Sequence, residues 1–197
     1  MTDAFEVREA VVADAPRIAD LHASRIGEGF LTFLGTRFLT RLYRRVVRSP
    51  HAFAVVVVEQ GVVVAFAAAS DDVRNFYKEF VIRDGVLAGL GSAPRVIRSI
   101  PRVLETLRYP ALTADLPRAE ILSVATDGAV TGRGYGSVAL THATRELERR
   151  GCMTAKVVTG ATNDSALRLY HRNGFATHTE ISVHGDVTSE VLVWASS

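Results

Sequence analysis

The stretch "SVATDGAVTGRGYGSVALTHATREL", Ser123 to Leu147, runs from apolar residues through three glycines spaced by two into a helical pattern. A strand, a bare turn and a helix start in that order make an anion site. Unpaired N–H groups point one way, and the aligned peptide dipoles place about half a positive charge there. Glycines at 132, 134 and 136 would let phosphate oxygens approach without meeting a Cβ. A P-loop needs Lys followed by Ser or Thr after the last glycine; here "SVA" follows Gly136, so that reading fails. A dinucleotide fingerprint is closer, because Gly134, Gly136 and Ala139 satisfy G-x-G-x-x-A. It also needs an acid ending the next strand, and "VVTGAT" has none. A tight strand-to-helix turn without a ligand stays open.

The flanking patterns predict an α/β fold with a mixed sheet in one domain, residues 1–197. "FEVREAV" alternates like a half-buried strand. Asp14 then reads as an N-cap, with Ile18, Leu21 and His22 beginning a helical face. "GFLTFLGTRFLTRLYRRVVRSP" repeats apolar residues at Phe30, Leu34, Phe38, Leu42 and Val46, an amphipathic helix ending near Pro50. "FAVVVVEQGVVVAFAAAS" is a hairpin of two β-branched runs around Gly61. Residues 71–117 read as largely helical, with an apolar stripe from Val96 to Leu107. "EILSVAT" is a strand, Ser137 to Arg150 a helix closed by Gly151, and "MTAKVVT" a strand. "NDSALRLYHR" is a short capped helix, and "FATHTEISV" and "VTSEVLVW" pair around "HGD".

Apolar residues make 48% of the chain and charged residues 22%, which suits a globular protein. A net charge of +2 does not argue for nucleic acid. The longest apolar runs fall far short of the ~20 residues of a membrane span. The polar start "MTDAFEVREA" has no signal-peptide core. A single cysteine, Cys152, excludes an intrachain disulfide, fits a reducing cytoplasm and reads as a buried structural thiol. No metal is expected.

From Ala119 to Phe175 the sequence resembles the GNAT superfamily of N-acetyltransferases. The family signature is Arg or Gln, two residues, Gly, one residue, then Gly or Ala; here it reads "TGRGYG", Thr131 to Gly136. Downstream, "NDSALRLYHRNGF" is similar to the second signature, an Asn, an Ala-Leu-Tyr helix and a closing Gly-Phe. Thr131 departs from the usual Arg or Gln, and Arg133 is the candidate to restore that charge. Residues 71–117 exceed the family's minimal plan. Packing on the domain ranks first for them, ahead of a lid or a homodimer surface, with membrane contact last.

The resemblance implies a GNAT acyl-CoA N-acyltransferase fold and acetyl-CoA as co-substrate. Two parallel strands, Glu120–Thr126 and Met153–Thr159, would splay around the pantetheine arm, with Val124 and Thr126 as backbone partners. Gly132, Arg133, Gly134, Tyr135, Gly136 and Ser137 would meet the pyrophosphate. Asn163 would contact pantetheine or simply cap its helix, and Arg168, His171 and Arg172 are further phosphate candidates. Glu120 stands where the histone-acetylating branch carries its catalytic glutamate; the fifth-strand alternative is Val158, which cannot serve. Tyr170 stands where many relatives stabilise the departing thiolate, or it is a core aromatic. The "RIGEGFLTFLG" loop, with Glu28 and Phe30, would line the pocket of an acceptor, a small-molecule amine or a protein N-terminus. His178 and His184 read as surface or core residues rather than bases.

An alkylammonium of pKa about 10.4 lies ~3.4 units from neutral at pH 7, a deficit of roughly 4.6 kcal/mol that a positioned base would reduce. Glu120→Gln keeps shape and burial, so folding is expected to survive it. A GNAT-like module that binds acyl-CoA without catalysis is the rival of a different class.

Overall fold

The computed structural model describes residues 5–26, 35–91, 116–182 and 188–196. Its strands are β1 (Phe5–Glu9), β2 (Ala52–Glu59), β3 (Val62–Ser70), β4 (Glu120–Thr126), β5 (Thr154–Gly160), β6 (Phe175–Ser182) and β7 (Thr188–Ala195). They form one sheet in the order β1-β2-β3-β4-β5-β7-β6. Only β4 and β5 run parallel. The helices are α1 (Ala15–Arg25), α2 (Thr36–Arg48), α3 (Val73–Gly91), α4 (Tyr135–Arg149) and α5 (Asp164–Arg172).

Strands β2 and β3 are apolar almost throughout because both faces of the central sheet are covered. Ala54, Val56, Phe66 and Ala68 join Ile18, Leu21, Leu39 and Phe76 in one core, under α1, α2 and α3. Phe53, Val55, Val57, Ala65 and Ala67 join Ala139, Leu140, Ala143 and Leu147 in the other, under α4. Gln60 and Gly61 turn the hairpin with φ of 50° and 78°, the double left-handed turn that matches strand twist.

Several local expectations shift. The amphipathic helix starts only at Thr36, after Gly35; Phe30 and Leu34 lie outside the described residues. Asp14 stands at the N-cap position of α1, yet its carboxylate accepts from Arg8 and from the Val11 N–H, and makes no side-chain cap bond to α1. Helix α4 begins two residues before the expected Ser137. Within the extra segment, α3 buries Phe76 and Phe80, the latter edge-on to Phe38 at 5.7 Å, so its first turns pack on the core. The stripe from Val96 to Leu107, the "HGD" turn and His184 lie outside the described residues. Cys152 is half-buried, its thiol pushed up by burial, with Sγ 3.9 Å from the Asp71 carbonyl.

One polar chain crosses the first core. His22 Nδ1 lies 2.5 Å from the Tyr43 hydroxyl, which lies 2.9 Å from Ser123 Oγ on β4. Burial lowers the His22 pKa to about 4 and raises that of Tyr43, so both are neutral at pH 7. A histidine lowered from 6.5 is protonated earlier in the unfolded chain, so stability is complete above pH 6.5 and falls as pH drops toward 4. The expected loss is about 3 kcal/mol. Urea unfolding at pH 7 and pH 4.5 should show this slope in the wild type and lack it in His22→Gln. The comparison isolates the histidine, because Glu120, raised by burial, and Asp14, Asp127 and Glu146, lowered in the fold, titrate in both proteins.

Candidate active site

The sheet opens between its two parallel strands. β4 and β5 pair only at Glu120↔Lys156 and Ile121↔Val157, although β4 continues to Thr126 and β5 to Gly160. Their outer edges stay paired along their length, β4 to β3 with one bulge and β5 to β7 throughout. Residues 122–126 and 158–160 therefore present backbone edges with no strand across from them among the described residues, in the middle of a sheet. A bulge sits at the parting point: Ser123 pairs Ala68 and Ile121 pairs Ala69, leaving Leu122 as the extra residue. Such bulges bend a strand and end its pairing. Val124 and Thr126 lie along this open edge.

The glycine turn stands at the mouth of the opening. Gly132 and Gly134 have φ of 87° and 83°, and a Cβ at either would meet nothing within 4 Å, so left-handed backbone requires them. Gly136 is needed for proximity instead. A Cβ there would come 3.1 Å from Thr126 Oγ1 and 3.7 Å from Leu169, so it lets α4 press on β4 and α5. Gly134 is the N-cap of α4 and brings no side chain over the N–H groups of the first turn. Thr131 is exposed and turns its hydroxyl to the Asp127 carbonyl. The Arg133 guanidinium is held by both oxygens of Glu59, at 2.7 and 3.0 Å, and lies 5.0 Å over the Tyr135 ring. Glu59 thus offsets part of the charge that Arg133 was expected to bring to the loop in place of that missing at Thr131. Gly134→Asp should weaken coenzyme A binding at least about tenfold, since it puts a negative charge at the helix start. The fold should survive, at about 1–3 kcal/mol of backbone strain. The melting-temperature rise with millimolar coenzyme A measures both.

Helix α5 carries the second group. Tyr170 is 6% exposed, 5.5 Å from the Phe175 ring, and its hydroxyl has no hydrogen-bond partner among the described residues. Burial raises its pKa. A buried phenol without a hydrogen-bond partner is costly unless something completes it. Asn163 caps α5 through Oδ1 to the Ala166 N–H at 3.1 Å, the plainer of its two roles. Ser137 accepts from Asn173 Nδ2 at 3.1 Å, which ties the start of α4 to the end of α5. Arg168, His171 and Arg172 are exposed on α5, and His178 is exposed on β6.

Glu120 opens β4 at the closed end of the cleft. Its Oε2 lies 3.3 Å from Nζ of Lys156, and the two side chains are 14% and 3% exposed. Burial raises the Glu120 carboxyl and outweighs the lowering by Lys156. This pair adds a stability cost to Glu120→Gln, because the substitution strips a buried ammonium of its counter-charge, while folding is still expected to survive it. Lys156 escaped the sequence reading, as did Glu59 and the Arg17–Asp127 ion pair that fastens the end of β4 to α1. The signal for Lys156 was present: a lysine inside the apolar run "TAKVVTG". Glu28 and Phe30 lie outside the described residues. Among the described residues no group of three His, Cys, Asp or Glu side chains could hold a metal ion, and no helix is long and apolar enough to cross a membrane.

A sheet that parts beside a glycine-rich helix start suits an extended ligand with an anionic end. The chain belongs to the acetyltransferase (GNAT) family, which it matches over residues 26–175. In structure it is similar to the ribosomal-protein-S18-alanine N-acetyltransferase of Escherichia coli, with 15% identity, 98% of this chain and 95% of that chain covered, and a TM-score of 0.62. It is similar to the PaiA N-acetyltransferase of Thermoplasma acidophilum, solved in complex with coenzyme A, at 10% identity, 98% and 99% coverage and a TM-score of 0.63. It is also similar to yncA of Salmonella typhimurium, solved with its cofactor acetyl-CoA, at 17% identity, 98% and 95% coverage and a TM-score of 0.63. No curated protein matches it in sequence.

Proposed function

We propose that this protein is an acetyl-CoA-dependent N-acetyltransferase, one domain across its length, in which an acceptor amine attacks directly while both substrates are bound. The observation that carries the reading is the open edge between β4 and β5. Peptide groups of Val124, Thr126 and residues 158–160 would take the amides of the pantetheine arm as an added strand. The turn from Thr131 to Ser137 would hold the pyrophosphate on backbone N–H groups. Acetyl-CoA, when bound, supplies an acetyl group activated as a thioester. Tyr170 then has a partner for its orphaned hydroxyl in the sulfur, to which it donates as negative charge develops there. Glu120 takes the proton of the attacking amine, directly or through water, and its burial makes it a better base than a free glutamate.

The acceptor is a small-molecule amine or a protein N-terminus. An alkylamine must shed a proton held at pKa about 10.4, an α-amine one held at about 7.7–8.0, so the two ask different amounts of the base. The E. coli relative's name specifies an alanine terminus, which recommends an alanine-leading peptide beside spermidine and glucosamine as test acceptors. Thiol release from acetyl-CoA with at least one such amine supports the reading. Stabilisation by coenzyme A with no transfer to any of them would favour a binding module, and a larger shift with NAD would overturn the cofactor assignment.

A further inference from the structure

Glu120 and Lys156 stand opposite each other in register on the two strands that are about to part. Side chains at paired positions of neighbouring parallel strands share a face, so the contact is dictated by the sheet itself. Lys156 Nζ lies 3.3 Å from Glu120 Oε2 and donates to the Pro117 carbonyl at 2.6 Å. The lysine is the more deeply buried partner, held by two acceptors. Among the described residues no other charged group acts on Glu120: Ser70 faces it from β3, and Val193 faces Lys156 from β7. On the α1 and α2 side, His22 and Tyr43 are engaged with each other and with Ser123.

A carboxylate buried alone at this depth would tend to hold a proton at neutral pH, and an acid already protonated cannot take the acceptor's proton. An opposite charge at this distance favours the ionised form. We propose that Lys156 is a positioning residue for Glu120, holding the carboxylate ionised and in place at the closed end of the cleft so that it takes the acceptor's proton. This rests on Glu120 being the base.

The titration that tests this needs no acceptor. Protein labelled with [13C]glutamate is titrated by NMR, and the Glu120 signal is the one lost in Glu120→Gln. In Lys156→Met its midpoint should rise by about one to three pH units, while Lys156→Arg stays near the wild type. Should Lys156→Met not fold, Lys156→Gln removes the charge but keeps a donor for Pro117, and the same rise is expected. An unmoved midpoint in the neutral variant overturns the proposal. So does loss of the coenzyme A melting shift in Lys156→Gln, which would make Lys156 a wall of the cleft. Failure of the underlying reading looks different: Glu120→Gln would then transfer acetyl at the wild-type rate, whatever the titration shows.

Discussion

Tyr170→Phe is expected to lower kcat by about 10²–10³ with little change in KM, while leaving the protein as stable as before or more so. The rate falls because the phenol is asked to act on charge that develops only as the thiolate leaves. Full proton transfer is not the favoured description: a phenol of pKa about 10 giving its proton to a thiol of about 8.5 runs uphill, and burial raises the phenol further. A hydrogen bond that strengthens with the sulfur's charge avoids that cost. The stability half of the expectation comes from the orphaned hydroxyl. Removing a buried polar group that has no partner among the described residues relieves a penalty of about 1–3 kcal/mol, whereas the ring keeps its contact with Phe175. A variant that is slower yet harder to unfold marks a group kept for chemistry. A rate fall below threefold would return Tyr170 to the core. Urea unfolding and acetyl transfer, measured on the same preparation, decide between the two.

The elements that were legible in the sequence are those whose cause is local. β-branched runs around Gly61 specify the hairpin, and alternating burial in "EILSVAT" follows from period two. The glycine turn was legible as an anion site, but its division of labour was not. Gly132 and Gly134 bend backbone, while Gly136 yields to Thr126 and Leu169, residues distant in the chain. Pairings across the fold were equally hidden. Asp14 has the look of a cap, and only the approach of Arg8 shows where its carboxylate goes. Arg133 has the look of a phosphate cation, and only the fold places Glu59, at the far end of β2, against it. The parting of β4 from β5 has no residue signature in either strand, and the resemblance of the two motifs supplied it. Lys156 needed strand register, which no single segment contains.

Glu120→Gln is the sharpest test of the proton account, and the pair with Lys156 changes what it should show. The amide keeps an oxygen within reach of Nζ, and Pro117 still accepts from the lysine, so the protein should fold. It should nonetheless lose stability, because the ammonium keeps its burial and loses its counter-charge; removal of a whole partner from such a pair costs about 3–5 kcal/mol, and this milder change should cost less. Adding Lys156→Met should then recover part of the loss, a coupling that a double-mutant cycle reads directly. Transfer to an alkylamine should fall by roughly 10²–10³ at pH 7, the range of general-base catalysis. With an α-amine of pKa about 7.7–8.0 the fall should be smaller, since the deficit at pH 7 is under about one unit instead of ~3.4. In both cases the loss should shrink as pH rises toward the amine's own pKa, where neutral amine is abundant and a base redundant. A loss independent of pH would mean that Glu120 only orients the acceptor. No loss would make it half of an ion pair that braces the closed end of the cleft.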